Sequence, residues 1–343
     1  MKSMDSKLKE AIDALNKNFG PGSIVLGSEM GKVAPLPRIK TGIFGLDISL
    51  GGGLPKGRII EAFGPLSSGK TLLAIMTAKS IQDEGGVVAW IDLEHQVDRT
   101  WMERLGVNTG HVLFSEPENC EQAIDIIDTL VRSRTVALVV IDSIAAFSTI
   151  REQEEGAADQ QMGDTAKLVN KLMRKLTSAL QAEDLSKPET YNNCLVFAIN
   201  QEREKIGVMY GNPITTPGGR GLPFFASIRI NMHVGEYLKD KEEIIGKTIK
   251  FKIEKNKTFP PKKVGEFDLY NDGTIDNEKS IILYGITSGL IIQSGPYYSY
   301  EGVKYQGKEK LIDGIKGLKK IGKLKEDILN FYVKQAEVKN DEK

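Results

Sequence analysis

A complete phosphate-binding motif is the part of this sequence with the clearest chemical meaning. It consists of eight consecutive residues: Gly64, Pro65, Leu66, Ser67, Ser68, Gly69, Lys70 and Thr71. The pattern turns backbone N–H groups toward a phosphate, lets the lysine reach the β- and γ-phosphates and places the final hydroxyl on Mg²⁺. An apolar run at 59–63 precedes it and a helix is predicted from about Thr71, so the anion would lie at a helix N-terminus. A chance glycine-rich turn would explain neither the apolar run before it nor the helix after it. The motif therefore predicts a nucleoside triphosphate site with Mg²⁺.

Polar side chains follow three other apolar runs of the chain. Asp142 follows the run at 138–141, Glu94 follows 87–91, and Gln201 follows 195–199. Ligands of an open parallel sheet bind where strands end, so we expect these side chains near the phosphate. Asp142 would hold Mg²⁺ together with Thr71, Glu94 would act as general base for a water, and Gln201 would contact the γ-phosphate. Each could instead be a solvated loop residue, but the three together predict hydrolysis rather than binding alone.

The elements that must position these residues follow an α/β pattern. Short runs rich in Val and Ile at 59–63, 87–91, 138–141 and 195–199 predict strands that are buried on both faces. Helices are predicted between them at 71–84, 120–133 and 164–181. The pattern indicates a mostly parallel central sheet covered by helices. Beyond residue 225, alternation at 227–233, 248–254 and 266–270 predicts antiparallel strands.

The chain divides into three predicted units. Residues 1–34 form an N-terminal helix with its linker, 35–270 the ATPase core, and 271–343 a small α+β C-terminal domain with a basic patch. The N-terminal helix is predicted at 6–19 from an apolar stripe that consists of Leu8, Ile12, Leu15 and Phe19. This helix either folds back on its own domain or docks on a neighbour, and the sequence leaves both open.

Composition limits the classes of function. The chain has 343 residues with 46 basic and 46 acidic side chains, so its net charge is zero and any DNA contact must come from local patches. The two cysteines, Cys120 and Cys194, lack metal-ligand spacing and are predicted to be buried thiols. We find no signal peptide and no apolar run of membrane-spanning length, so we expect a cytoplasmic protein without a membrane partner.

The order of many segments and their residue sequences resemble those of the bacterial RecA recombinase family. The resemblance runs from residue 6 to about residue 320. The segments that carry it are 19–24, 54–59, 64–71, 91–95, 141–143, 173–176, 200–201, 205–213, 216–219 and 255–257. The phosphate motif is shared by many families, whereas the run 205–213 with the following glycine pair is far more specific. The resemblance implies a RecA-like P-loop ATPase core.

The same resemblance assigns roles to further residues around the nucleotide. It supports the roles given above to Lys70 and Glu94, and it implies that Gln201 links the γ-phosphate to a DNA-binding loop. Asp98 and Trp101 fall where the family contacts adenine. Lys255 and Lys257 resemble the pair that reaches across a subunit boundary to a neighbour's triphosphate. The alternative for these two lysines is the ordinary exposed face of a basic strand.

Two loops are predicted to hold single-stranded DNA. Residues 202–223 are long, glycine-rich and without clear helical or strand pattern, and residues 152–163 are polar and rich in small residues. Either could be a passive surface loop, but in the resembling family they line the filament axis. The candidate DNA contacts are Met162, Arg174, Arg203, Lys205, Met209, Tyr210, Gly218, Gly219 and Arg220. A second patch at 301–325, with eight lysines against three acidic residues, is either a duplex-DNA site or a solvated helical face.

The sequence therefore predicts a DNA-dependent ATPase of recombination, DNA repair and the SOS response. It would use ATP and Mg²⁺, polymerise with itself on single-stranded DNA and pair this DNA with homologous double-stranded DNA. The alternatives are a RecA-core ring helicase and a scaffold filament that promotes self-cleavage of an SOS-type repressor. Leu66, in place of the family's usual acidic residue, and an insertion at 182–193 indicate a divergent member, borne by a phage or mobile element.

Overall fold

The computed structural model describes residues 6–29, 36–148, 163–204, 214–259, 264–316 and 319–341. Its first element, α1 (Ser6–Phe19), has the bounds that the apolar stripe predicts, and none of its residues is buried. The side chain of Asn16 exchanges two hydrogen bonds of 3.0 Å with the backbone of Ile24. These bonds hold the start of the linker against the end of the helix.

The core alternates strands and helices as far as Gln201. Its elements are β1 (Arg38–Ile39), α2 (Phe44–Leu50), β2 (Leu54–Pro55), β3 (Ile59–Gly64), α3 (Lys70–Asp83), β4 (Val88–Asp92), α4 (Arg99–Arg104), β5 (Val112–Ser115), α5 (Cys120–Ser133), β6 (Leu138–Asp142), α6 (Asp164–Ala179) and β7 (Leu195–Gln201). Two short strands, β8 (Arg203–Glu204) and β9 (Ile214–Thr215), and helix α7 (Gly221–Phe225) follow.

Three long strands complete the central sheet: β10 (Ile228–Asp240), β11 (Glu243–Asn256) and β12 (Val264–Tyr270). The sheet has the order β12-β11-β10-β3-β7-β6-β4-β5. Its strands from β10 to β5 pair in parallel, whereas β10, β11 and β12 pair antiparallel. The predicted α/β fold with a mostly parallel central sheet is confirmed.

Two apolar layers cover the sheet. Helix α3 packs on one face, where Leu73 and Trp90 belong to one buried cluster. Helices α5 and α6 pack on the other face, where Ile127 and Leu172 belong to a second cluster. Successive residues of a strand point to opposite faces, which is why β6 needs an uninterrupted apolar run. Cys120 and Cys194 are both buried and are not joined in a disulfide, as predicted.

A small α+β unit follows the sheet. Its elements are α8 (Asn277–Thr287), β13 (Ile292–Ser294), β14 (Tyr297–Tyr300), β15 (Val303–Gln306), α9 (Lys308–Ile315) and α10 (Lys319–Asp341). The three strands form an antiparallel sheet, so the predicted α+β character is confirmed. Phe44 and Ile48 of α2 belong to the apolar cluster of this unit, and the Tyr284 hydroxyl donates to the Gly45 carbonyl at 2.9 Å. The boundaries at 34 and 270 stay predictions.

The segment 182–193 forms a loop that binds the linker after α1. The Leu185 N–H donates to the Gly22 carbonyl at 3.2 Å. Asp184 accepts hydrogen bonds from the N–H and hydroxyl of Ser186 at 2.9 and 2.6 Å. A Cβ on Gly22, whose φ is +71°, would lie 1.8 Å from an Asp184 carboxylate oxygen. The close approach of loop and linker therefore requires glycine at this position.

Within the described part of the chain, no helix combines the length and the apolar composition that a bilayer crossing requires.

Candidate nucleotide and DNA site

The phosphate-binding loop joins β3 to α3 in a conformation that needs glycine at its start. Gly64 has a φ of +152°, and a Cβ there would lie 2.0 Å from the Met232 carbonyl oxygen of β10. Ser67 and Gly69 also have positive φ values, of 58° and 89°. The loop therefore turns sharply between the buried strand and the N-terminus of α3, which is the geometry that presents N–H groups to an anion.

Lys70 lies inside this loop with its side chain buried. Its ammonium donates to the carbonyls of Gly64 and Pro65 at 3.0 and 2.6 Å. Burial lowers the pKa of Lys70, and the nearby Asp142, Glu94 and Glu202 oppose that change. A buried cation in the centre of a glycine-bounded turn is suited to hold a phosphate group, so the loop fits a triphosphate.

Three carboxylates meet beside the loop, at the ends of β4 and β6. Burial, followed by the charges of Glu94 and Asp92, raises the pKa of Asp142 to about 7, and Lys70 opposes this shift. Asp92 accepts hydrogen bonds from the N–H groups of Glu94 and Val97 at 3.1 and 3.0 Å, so its oxygens hold the backbone of the loop. Asp142 is therefore the carboxylate better placed to face a cation.

Asp142 and Thr71 fit a Mg²⁺ site if phosphate oxygens of the bound triphosphate supply further ligands. Asp142 and Thr71 line the same cavity. Mg²⁺ usually takes one or two carboxylates and completes its shell with waters and phosphate oxygens. Accordingly, the residues that the structure describes contain no group of three or more His, Cys, Asp or Glu side chains arranged as a metal centre.

Glu94 and Gln201 are in direct contact. The Gln201 amide donates to Glu94 Oε1 at 3.4 Å, and the Ser143 hydroxyl donates to the same oxygen. The structure therefore brings together the predicted base and the predicted γ-phosphate sensor, although they lie 107 positions apart in the sequence. Their chemical roles stay predictions.

A cavity of about 260 Å³ beside Thr71 offers room for a base. Asp98 and Trp101 line this cavity, and their contact with adenine stays a prediction. The Asp98 carboxylate also accepts the Trp101 N–H at 3.1 Å and so caps α4. The indole N–H of Trp90, which also lines the cavity, is buried without a hydrogen-bond partner among the described residues. This orphaned donor supports a ligand with hydrogen-bond acceptors.

Two further residues of the site escaped the sequence reasoning. The sequence predicts Trp90 only as an apolar residue of a central strand. Lys247 of β11 donates its ammonium hydrogen to the Ser67 carbonyl at 2.8 Å and so braces the outer side of the phosphate loop. No sequence signal could have found this contact, because it joins residues 180 positions apart on different elements.

Lys255 and Lys257 lie away from the phosphate loop of their own chain. The Lys255 ammonium donates to the carbonyls of Pro223 and Phe224 at 2.8 and 2.7 Å, and Lys257 Nζ lies 5.8 Å from the Phe224 ring centroid. In the strand register, Lys255 lies level with Arg229 of β10 and Glu61 of β3, which is three residues before the phosphate loop. The structure thus separates both lysines from Lys70.

Of the described DNA-site candidates, Arg174 lies on α6, and Gly218 and Gly219 lie against that helix. Arg174 is exposed on that helix, and Arg220 is exposed just before α7, which packs against α6. Gly218 is buried and Gly219 exposed in the turn before Arg220. Arg203 is exposed on β8 and pairs with Thr215 of β9. Loop 152–162 and the candidates Met162, Lys205, Met209 and Tyr210 lie outside the described residues.

The expectation that 202–223 lacks regular structure is wrong in part. Strands β8 and β9 pair at its base, and α7 begins at Gly221. A ladder of two residues per strand is too short to produce a periodic pattern, which explains the error. The loop thus leaves the sheet through a closed stem.

The lysine patch at 301–325 is partly neutralised. Lys316 pairs with Asp276 at 2.6 Å, and Lys323 pairs with Glu301 at 2.7 Å. Lys304 Nζ lies 4.5 Å from the centroid of the Tyr297 ring. The predicted duplex-DNA role of this patch stays a prediction.

Comparison with known proteins identifies the family. The model of the RecA N-terminal domain matches residues 6–276. Protein RecA of Cereibacter sphaeroides is 43% identical over 304 residues, which are 88% of this chain and 86% of that protein. Protein RecA of Cutibacterium acnes is 41% identical over 340 residues, covering 97% and 94% of the two chains. With its phosphate loop, its sheet and these relatives, the chain belongs to the RecA family.

Proposed function

We propose that this protein is a DNA-dependent ATPase that polymerises on single-stranded DNA and pairs it with homologous duplex DNA. The observation that carries the proposal is the contact of Gln201 with Glu94. It connects the candidate base to the strand that continues directly into β8 and the candidate DNA loop. Loss of the γ-phosphate would therefore affect the candidate DNA-binding segment through Gln201 at the end of β7.

Different residues of the chain would bind ATP, hold Mg²⁺ and accept the proton of the attacking water. The phosphate loop and Lys70 would hold ATP, Thr71 and Asp142 would hold Mg²⁺, and Asp98 and Trp101 would contact the adenine. When bound, Mg²⁺ offsets the charge on the phosphate oxygens. Because Glu94 Oε1 accepts from Ser143 and Gln201, Glu94 Oε2 is the atom that would accept the proton of a water.

The separation of Lys255 and Lys257 from their own phosphate loop supports a site shared between subunits. Phe224, which lies beside both lysines, is 70% exposed. In a filament, this edge would meet the triphosphate of a neighbouring copy, and the two ammonium groups would stabilise its charge. Hydrolysis would then loosen the subunit boundary and the grip on DNA together.

The proposal is tested by measuring ATP hydrolysis with and without single-stranded DNA. Stimulation of hydrolysis by DNA supports the proposal, and equal rates under both conditions contradict it. Electron microscopy with ATP and DNA separates the filament from a ring helicase. Strand exchange between homologous oligonucleotides separates the recombinase from a filament that acts only as a scaffold for cleavage of an SOS-type repressor, since a scaffold would exchange no strands.

A further inference from the structure

Glu61 is a buried carboxylate to which the sequence reasoning gave no role. It lies on β3, three residues before the phosphate loop, and its exposed fraction is 0%. Glu61 Oε1 accepts from the Asn200 amide at 3.1 Å, and Glu61 Oε2 accepts from Arg229 Nε at 2.5 Å. A carboxylate in a sheet interior is strongly destabilising unless it is paired and hydrogen-bonded. Glu61 therefore joins the two strands beside it, β7 and β10.

The Asn200 side of this network lies at the nucleotide site. The Asn200 side-chain oxygen accepts the backbone N–H of Gln201 at 3.0 Å. Its amide also donates to the Pro217 carbonyl at 3.1 Å, in the segment that follows β9. One side chain thus connects Glu61 to the residue that contacts Glu94 and to the stem of the candidate DNA loop.

The Arg229 side of the network lies at the Lys255 edge. Arg229 pairs with Glu61 in the β10–β3 register and with Lys255 in the β10–β11 register. Its guanidinium carbon lies 4.4 Å from the centroid of the Phe63 ring. Since the ring and the neighbouring strands limit its movement, Arg229 holds its charge between Glu61 and Lys255.

The charges that face Lys255 come from two neighbouring strands and from the residues that follow its own strand. Arg229 lies on β10, Glu61 lies on β3 and Lys257 directly follows the end of β11, while α7 contributes the carbonyls of Pro223 and Phe224. The pKa of Lys255 is lowered to about 8, first by burial and then by the charges of Lys257 and Arg229, whereas the charge of Glu61 opposes this shift. Glu61 is thus the one anion in this set.

We infer that Glu61 is a positioning residue that couples the Gln201 end of β7 to the charge state of Lys255. Its carboxylate offsets Arg229, so that Lys255 stays protonated beside the carbonyls of Pro223 and Phe224. The use of that charge on a neighbour's triphosphate rests on the proposed function. The charge relation itself belongs to the single chain and is measurable without nucleotide or DNA.

The experiment is competitive acylation of the free protein with trace acetic anhydride across pH, followed by peptide mass spectrometry. Only the neutral amine reacts, so the pH midpoint of labelling reports the pKa of Lys255. We expect Glu61→Gln to lower this midpoint and Arg229→Gln to raise it, each by roughly half a pH unit or more. Lys252, exposed on the same strand and paired with Glu254 at 2.7 Å, is the internal reference.

The double variant Glu61→Gln with Arg229→Gln completes a double-mutant cycle. It removes both buried charges, so the midpoint should return toward that of the unsubstituted chain. It also avoids an unpaired buried charge, which keeps the test available if Glu61→Gln alone does not fold. Midpoints that do not move in the single variants that fold, or a double variant that does not return, would overturn the inference.

A second measurement, the pH dependence of ATP hydrolysis, tests whether the charge of Lys255 is used in the reaction. In Glu61→Gln, the alkaline limb of DNA-dependent ATP hydrolysis should move to lower pH, with activity regained at lower pH. A loss of equal size at every pH would indicate a merely structural role and contradict the coupling. Absence of DNA-dependent hydrolysis in the unsubstituted chain would overturn the proposed function instead and would leave the acylation result standing.

Discussion

At the residue scale, Glu94 is the side chain on which hydrolysis depends most directly. Glu94→Gln keeps the size of the residue and its contacts but removes the proton acceptor. We expect ATP and DNA binding to persist, while the steady-state hydrolysis rate falls about 10²-fold or more. Glu116→Gln, an exposed change on the next strand's loop, is the matched control. Hydrolysis that continues unchanged would disprove the assignment of the base.

Asp47 predicts a pH dependence of stability. Burial raises its pKa to about 6 from 3.8, although the N–H and hydroxyl of Thr41 both donate to Oδ1 at 2.8 Å. A raised acid pKa means that its contribution to stability is present below the unfolded value and is lost as pH rises through 6. Between pH 4 and 7, Asp47→Asn should therefore gain up to about 3 kcal/mol relative to the unsubstituted chain. Denaturant unfolding at both pH values measures this difference, and a pH-independent gap would refute it.

Motif residues were predictable from sequence because their types and spacing follow from phosphate chemistry. The phosphate loop, Asp142, Glu94 and Gln201 were all assigned this way, and the structure brings them together, while their chemical roles stay predictions. Trp90, Lys247 and Glu61 were not predictable. Each acts through a partner on another strand, and a single sequence does not show which strands become neighbours.

At the element scale, β11 supports the phosphate loop from outside. Lys247→Met keeps the length of the side chain but removes the donor to the Ser67 carbonyl. Since one such hydrogen bond contributes about 1 kcal/mol, we expect ATP to bind roughly fivefold more weakly. Titration with a fluorescent ATP analogue measures this change. Lys250→Met, an exposed change on the same strand, should have no effect, and equal losses in both variants would argue against the brace.

Elements with a long apolar period were predicted well, and short ones were not. The bounds of α1 and α5 match the prediction because a stripe over four turns marks both ends. Strand β5 was missed because it lies at the sheet edge with only its first residue buried, so it lacks a continuous apolar run. Strands β8 and β9 were missed because two residues carry no period.

At the scale of the whole molecule, the residues that the structure describes leave the apolar stripe of α1 unburied. Phe19 is 74% exposed and Leu15 is 38% exposed. We expect this stripe to dock on another copy, so that Leu15→Glu abolishes ordered assembly while ATP binding persists. Asn18→Glu, which adds the same charge on the polar face, should assemble normally. Analytical ultracentrifugation with ATP and DNA measures both, and normal assembly of Leu15→Glu would contradict the expectation.

The hold of loop 182–193 on Gly22 has a consequence for the geometry of the proposed filament. The Leu185 N–H of this loop donates to the Gly22 carbonyl just after α1, and none of the candidate phosphate or DNA contacts lies in the loop. In the proposed filament, substitutions within this loop should therefore change the direction of α1 and with it the spacing of the protomers, while the candidate catalytic residues keep their positions.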